Sequence, residues 1–248
     1  GHGAKKFWKV VGYKGRDEVR ELMKDRYVRR DYADVSEQLP SVVVVNRGVE
    51  LTEVQRAAYD KIMDDPALDS ETRIMEGLRR ALFAKDEAGN FSSSKLDEVL
   101  AVLSENEGEQ AVVCAQSKIF IDELASRLES AGVKTASITG DVDDRTRAAI
   151  QAAFRDGRIR VLCGTAAIER GLNLQSASLL VNADLPFNPA AWVQRVGRLR
   201  RIGSKHSAIR VINLVAEDTV EDYVRKVVYE KQKLFDDVFG EADVRPVK

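Results

Sequence analysis

From residue 110 onward, short apolar runs alternate with helical patterns, and this rhythm limits the possible folds more than any other feature of the chain. AVVCA (111–115), TASIT (135–139), RVLCG (160–164), SLLVNAD (178–184) and AIRVINLV (208–215) are five such runs. Between them, SKIFIDELASRLESA carries Phe120, Leu124 and Leu128 on one stripe and stops at Gly132. DRTRAAIQAAFRD carries Ile150, Ala153 and Phe154 and stops at Gly157. Glycine just past the last periodic residue is a helix stop, because it takes up left-handed backbone without steric cost. Nearly apolar strands that alternate with helices predict an α/β fold, a parallel sheet covered by helices on both faces.

The flanks read differently. Residues 1–40 are polar, with a helical stretch around DEVRELMKDRYVRR. SVVVV is a short β-branched run ended by Asn46-Arg47-Gly48. In LTEVQRAAYDKIM, Thr52 is a helix cap and Gln55 its capping-box partner. RIMEGLRRALFA and SKLDEVLAVLSEN give two further helices, separated by the loop AGNFSSS. The expected organisation is a linker and helix over 1–40, a helical protrusion subdomain over 41–108, the α/β core over 109–216, and a C-terminal helix and tail over 217–248. Val220, Tyr223, Val224, Val227, Leu234, Phe235 and Val238 form the stripe by which that last helix docks on the core.

The formal net charge of the 248 residues is -1, so any nucleic-acid contact must come from local patches. No apolar run approaches the ~18–20 residues of a membrane helix, and no signal-peptide pattern opens the chain. Cys114 and Cys163 sit inside apolar runs, and the two histidines, His2 and His206, lack ligand spacing. Core thiols in a reducing compartment are expected, with no metal site and no membrane partner. That points to an intracellular protein, cytoplasmic with the nucleoid if bacterial and nuclear if eukaryotic.

One segment breaks the neutral pattern. QRVGRLRRIG (194–203) holds Arg195, Arg198, Arg200 and Arg201, and no acidic residue occurs from Leu185 to Ala216. Asn188-Pro189 is a strong helix start and Gly203 a stop. On a 3.6-residue helix, Trp192, Val196 and Leu199 share an apolar face. Gln194, Arg198 and Arg201 fall within roughly 60° of one another on the opposite side, with Arg195 and Arg200 on the flanks. The helix follows a strand of the sheet, so its start lies at the carboxyl rim, where parallel sheets bind ligands.

QRVGRLRRIG resembles motif VI of the superfamily-two helicase-like ATPases, and in particular the Swi/Snf family of double-stranded-DNA translocases. GTAAIERGLNLQ (164–175) is similar to motif V, and DLPFNP (184–189) to the family's Asp-Leu-Pro-aromatic-Asn-Pro segment. AVVCAQS (111–117) and ITGDVDDRTRAAIQAAF (138–154) resemble motif IV and the block after it. YVRR (27–30), QLPSVVVV (38–45), LTEVQRAAYDKI (51–62) and SKLDEVLAVL (94–103) also occur in the family's order. Many members have Ala at the position of Arg195, Gln at Ser204 and an acidic residue at Arg170. The form seen here is closer to the bacterial branch.

The resemblance implies a RecA-like core. No G-x-x-x-x-G-K-[ST] is present: GNFSSSK (89–95) has Ser94 and Leu96 where glycine and Ser or Thr are needed. No apolar run ends in Asp-Glu. The chain is therefore expected to be the second of two RecA-like lobes and to be inactive alone. ATP and Mg2+ would be bound mainly by an N-terminal lobe of the same polypeptide. By resemblance, Arg198 and Arg201 are arginine fingers positioned by Gln194. Gly171, Asn173 and Gly197 line the ATP cleft. Gln116, Ser117, Thr139, Gly140, Thr165 and Gln175 contact one strand of double-stranded DNA. The load stays open among nucleosomes, RNA polymerase, a repair complex and invading DNA, a protein–DNA complex to be remodelled being one choice. The alternatives are the second lobe of an RNA or single-strand helicase and a non-catalytic DNA-binding scaffold. A Rossmann enzyme fits worst, because no glycine fingerprint follows the first core strand.

Overall fold

The computed structural model describes residues 18, 21, 39–169, 171–186, 188–228 and 230. YVRR, Arg170, and Leu234, Phe235 and Val238 of the expected terminal stripe lie outside them. The described elements run β1 (Ser41–Val49), α1 (Glu53–Met63), α2 (Ser70–Leu82), β2 (Ala84–Lys85), β3 (Phe91–Ser92), α3 (Ser94–Glu105), β4 (Ala111–Cys114), α4 (Lys118–Ser130), β5 (Thr135–Ile138), α5 (Asp144–Arg155), β6 (Val161–Gly164), a 3-10 turn (Ala166–Glu169), β7 (Leu179–Asn182), α6 (Pro189–Leu199) and β8 (Ala208–Ala216). Residues 221–228 are helical.

Six strands form one sheet in the order β1-β8-β7-β4-β6-β5, and every pairing in it is parallel. Each expected core run became a strand. β4, β6 and β7 are buried at every position, as strands covered on both faces must be. Alternate residues serve opposite faces. Val113, Cys163 and Val181 join Leu96, Val99, Phe120 and Leu124, so α3 and α4 cover one side. Val112, Leu162 and Leu180 join Phe154, Ile168, Trp192 and Val196, so α5, the 3-10 turn and α6 cover the other. The α/β RecA-like architecture is therefore present.

Two boundaries differ from the sequence reading. Ser41–Val49 pairs with β8 along its whole length and is the sixth strand, not part of a separate helical segment beginning at residue 41. Its β-branched run suits an edge position, where alternate side chains stay partly exposed. Likewise α3 does not protrude: Leu96, Val99, Val102 and Leu103 pack into the core beneath the sheet. Only α1, α2 and the β2–β3 hairpin stand outside it. They are joined by Gln55, fully buried, whose amide donates to Arg80 O and Ala81 O and accepts from Ser94 N. The expected Thr52–Gln55 capping box is formed.

The last helical stretch docks through Val224 and Val228 against Leu78 of α2, whereas Tyr223, expected on the docking stripe, is 53% exposed. A buried ion pair holds this end of the chain. Lys95 Nζ donates to both Glu221 carboxylate oxygens at 2.6 and 2.7 Å and to Ala183 O at 2.8 Å. It thereby ties α3 and residues 221–228 to the carboxyl end of β7. Among the described residues no helix is long and apolar enough to cross a membrane. Both cysteines lie fully inside the sheet, and burial pushes the Cys163 thiol up to about 12.

Removing one partner of a buried ion pair strands the other charge. Lys95→Ala is expected to lower unfolding free energy by about 3–5 kcal/mol in urea titrations, with Lys95→Met/Glu221→Leu restoring most of the loss. Neither thiol should react with a maleimide until the protein unfolds.

Candidate nucleotide-facing helix and nucleic-acid-facing rim

Helix α6 is built as the sequence indicates at its start. Asn188 caps it by accepting from Ala190 N, and Pro189 fills the first turn, where an N–H would have no partner. Trp192, Val196 and Leu199 are buried against the sheet. The helix ends earlier than projected. It stops at Leu199, and Arg200 turns the chain out at ψ 89, so Arg201 is not on the helix. Gly203, at φ +84, completes the turn in a conformation other residues avoid.

The four arginines nevertheless divide as their spacing suggests. Arg195 is 1% exposed and donates to Asn182 Oδ1 at 3.0 Å; Arg200 is 7% exposed and donates to Pro40 O at 2.9 Å. These two are structural. Gln194, Arg198 and Arg201 line one shallow depression of ≈530 Å³ with Leu39, Val193, Gly197 and Ile202, and the anchored Arg200 borders it too. Arg201 reaches it by folding back, with its guanidinium 3.4 Å from Gly197 O and from Leu172 O. Residues 171–175 run alongside: Leu174 N donates to Arg198 O, and Asn173 Oδ1 accepts from Gln175 N. Gly197 thus lines the depression, whereas Gly171 and Asn173 do not line it but flank Leu172 and Leu174, which contact Arg201 and Arg198. The guanidinium forks that line the depression suit phosphate oxygens, which they can grip in two-pronged fashion.

An asparagine ladder that the sequence reading missed fixes this helix. Asn46, Asn213 and Asn182 lie side by side on β1, β8 and β7. Asn213 Nδ2 donates to Asn46 Oδ1, and Asn182 Nδ2 donates to Asn213 Oδ1, both at 2.9 Å. Trp192 Nε1 donates to Asn213 Oδ1 at 3.1 Å, and Arg195 completes the row. A signal existed: three apolar runs, VVVVN, LLVN and RVIN, each break at an asparagine. Buried amides in strands demand partners, and here they find one another and α6.

The other candidates separate into two places. Gln116 and Ser117 follow β4, Thr139 and Gly140 follow β5, and Thr165 follows β6, so five of them line the carboxyl edge of three adjacent strands. Ser117 caps α4 by accepting from Phe120 N, Thr139 is 5% exposed, and Thr165 N donates to Ile138 O. A Cβ at Gly164 would lie 2.4 Å from Ile168 Cδ1 and 2.6 Å from Ile138 O, so glycine lets the 3-10 turn close against this edge. Gln175 is not there. Its carbonyl accepts from Ser204 Oγ, beyond the end of α6 and near the start of β8. The rim assigned to α6 holds only for its N-terminus, because Arg198 and Arg201 lie toward the amino ends of the strands.

Asp184 bridges the two places. Its Oδ2 accepts from Gln116 N at 2.8 Å. Burial pushes its carboxyl up, while the charge of Arg195, the Gln116 N–H and the charge of Lys95 hold it down. Removing the ladder's centre tests how α6 is held. Asn213→Ala leaves Trp192 Nε1 and Asn182 Nδ2 as buried donors without their acceptor, and should cost about 2–4 kcal/mol in denaturant unfolding.

With this geometry in view, residues 94–203 match the family model described as helicase conserved C-terminal domain. The chain is 30% identical over 159 residues to the ATP-dependent RNA helicase RhlB of Xanthomonas campestris pv. campestris (strain B100), covering 63% of this chain and 27% of that protein. It thus spans about a quarter of that curated relative's length. Among solved structures, it is similar to the C-terminal part of the Fun30 ATPase domain, with TM-score 0.67 and 16% identity, covering 76% of this chain and 90% of that one. It is also similar to the Sulfolobus solfataricus SWI2/SNF2 ATPase core in complex with dsDNA, with TM-score 0.66 and 18% identity, covering 90% of this chain and 52% of that one. Over residues 94–203 the chain thus matches the model of a helicase conserved C-terminal domain, and its fold is that of these two solved ATPase structures.

Proposed function

We propose that this chain is the second motor lobe of a Swi/Snf-type, ATP-dependent double-stranded-DNA translocase. The observation that carries the proposal is the depression shared by Gln194, Arg198 and Arg201, with Arg195 buried beneath the helix and Arg200 at the border of the depression but anchored to Pro40 O. A solvated basic helix would have no reason to sort its arginines in this way. In phosphoryl transfer the protein contributes positioning and charge stabilisation, and an arginine finger raises the rate by ~10³–10⁵. Arg198 and Arg201 would present that charge across a cleft to ATP, whose Mg2+ would be held mainly by a preceding lobe. Gln194, exposed on the same face, would orient them.

At the carboxyl edge, Gln116, Ser117, Thr139, Gly140 and Thr165 offer small hydroxyls, an amide and backbone N–H groups. Such groups hold a phosphate backbone without reading bases. Opening and closing of the cleft would then move this edge along one strand of duplex DNA.

The similarity to RhlB favours a second reading, the second lobe of an RNA helicase. Three features support the DNA reading instead. RNA helicases usually carry histidine at the position of Gln194. The QLPSVVVV and LTEVQRAAYDKI blocks match the Swi/Snf order. The likeness to the SWI2/SNF2 core extends over 90% of the chain.

In the full-length protein, Arg198→Ala or Arg201→Ala should lower nucleic-acid-stimulated ATP hydrolysis by about 10³-fold or more while leaving nucleic-acid binding in place. Hydrolysis at near wild-type rate in either variant would rule out the finger assignment.

A further inference from the structure

Asp184 is 8% exposed, and only one of its two carboxylate oxygens is satisfied. Oδ2 accepts from Gln116 N, whereas Oδ1 is buried with no hydrogen-bond partner. A buried carboxylate oxygen without a donor is costly, and native folds seldom keep one unless it serves a purpose. Its place in the fold supplies that purpose. On one side it grips the turn Gln116–Ser117, and the grip is doubled because Gln116 Nε2 lies 3.4 Å from Leu185 O. On the other side it stands within charge range of Arg195, the buried arginine that ties α6 to Asn182. The same helix carries Gln194 and Arg198 into the depression. Asp184 also borders a cleft of ≈330 Å³ beneath α2, lined by Gln116, Ser117, Leu78 and Val224, so the turn it grips has room to shift.

We propose that Asp184 is a positioning residue that couples the two faces of this lobe: the turn at Gln116–Ser117 that meets nucleic acid and the helix that presents Arg198 to the nucleotide. The inference rests on the proposed motor function. The half-satisfied carboxylate is the bistable element. When the Gln116–Ser117 turn is pulled by a bound strand, the Oδ2 bond changes length or partner, the free Oδ1 takes up the difference, and the balance of charge on Arg195 changes with it. Movement at one face thus reaches α6 through one side chain instead of through the whole sheet. Coupling of this kind is reciprocal, so nucleotide must change nucleic-acid affinity by the factor by which nucleic acid changes nucleotide affinity.

The test uses the full-length protein, a short fluorescein-labelled DNA duplex and a non-hydrolysable ATP analogue with an imido β–γ bridge. Fluorescence anisotropy gives duplex affinity with and without the analogue, and the ratio of the two is the coupling. In the wild type this ratio should depart from one by about 5–150-fold, the usual range for coupled sites. Asp184→Asn keeps an acceptor for the Gln116 N–H but removes the charge facing Arg195, and its ratio should collapse to within about twofold of one. Asp184→Glu, which restores the charge, should recover a ratio clearly above that of Asp184→Asn, a result that loss of packing alone would not give. If Asp184→Asn does not fold, Asp184→Ser, which also removes the charge, takes its place: a ratio within about twofold of one supports the coupling, and a wild-type ratio overturns it. A wild-type ratio in a folded Asp184→Asn protein also overturns it while leaving the motor function standing. A wild-type protein with no coupling and no DNA-stimulated hydrolysis overturns both.

Discussion

The position of α6 depends on a row of amides centred on the buried Asn182 and Asn213. Asn46, Asn213 and Asn182 pass hydrogen bonds across three parallel strands, and Trp192 and Arg195 join the row from the helix. Asn182 and Asn213 are fully buried and have no water to fall back on, so their bonds favour one arrangement of strands and helix, while Asn46 ends the row on the exposed edge strand. Hydrophobic contacts from Val196 and Leu199 would allow α6 to slide or roll by small amounts. The amide row removes that freedom. It also accounts for Arg195, which ends the row, while Arg200 at the border of the depression is held separately by Pro40 just before β1. What remains for the outer face is Gln194, Arg198 and Arg201.

A second polar fixture works at the carboxyl edge. Lys95 reaches through the core to Glu221 and to the carbonyl of Ala183, so α3, the end of β7 and residues 221–228 share one ion pair. Asp184, next along the chain from Ala183, holds the turn at Gln116. The two fixtures meet there, at the base of the edge that carries Gln116, Ser117, Thr139, Gly140 and Thr165.

Much of this was legible in the residues. Nearly continuous apolar runs alternating with helical patterns identified five strands, and the glycines after Leu128 and Phe154 marked helix ends. The Asn188-Pro189 start and the Thr52–Gln55 box were legible because capping is local chemistry. What escaped was long-range. VVVVN was not assigned to the sheet, because an edge strand differs from a loop only through its partner, here β8. Lys95 drew notice only as part of a failed phosphate-loop pattern, since nothing local in SKLDE announces a partner 126 positions away. Arg201 was projected onto a helix that ends two residues earlier, yet it reaches the same depression by another path. Gln175 was grouped with the carboxyl edge by motif order, while the fold returns its loop to the far end of α6.

Under the proposed motor function, the choice of track distinguishes the two branches the chain resembles. Duplex DNA and single-stranded RNA differ in phosphate spacing and in the hydroxyls they present, and the carboxyl edge holds groups that feel only the backbone. The most direct measurement is ATP hydrolysis by the full-length protein at saturating duplex DNA and, separately, at saturating single-stranded RNA of equal length, at one fixed salt concentration. Strong stimulation by the duplex with little by RNA is expected of a double-stranded-DNA translocase. Stimulation by RNA with none by the duplex would contradict it.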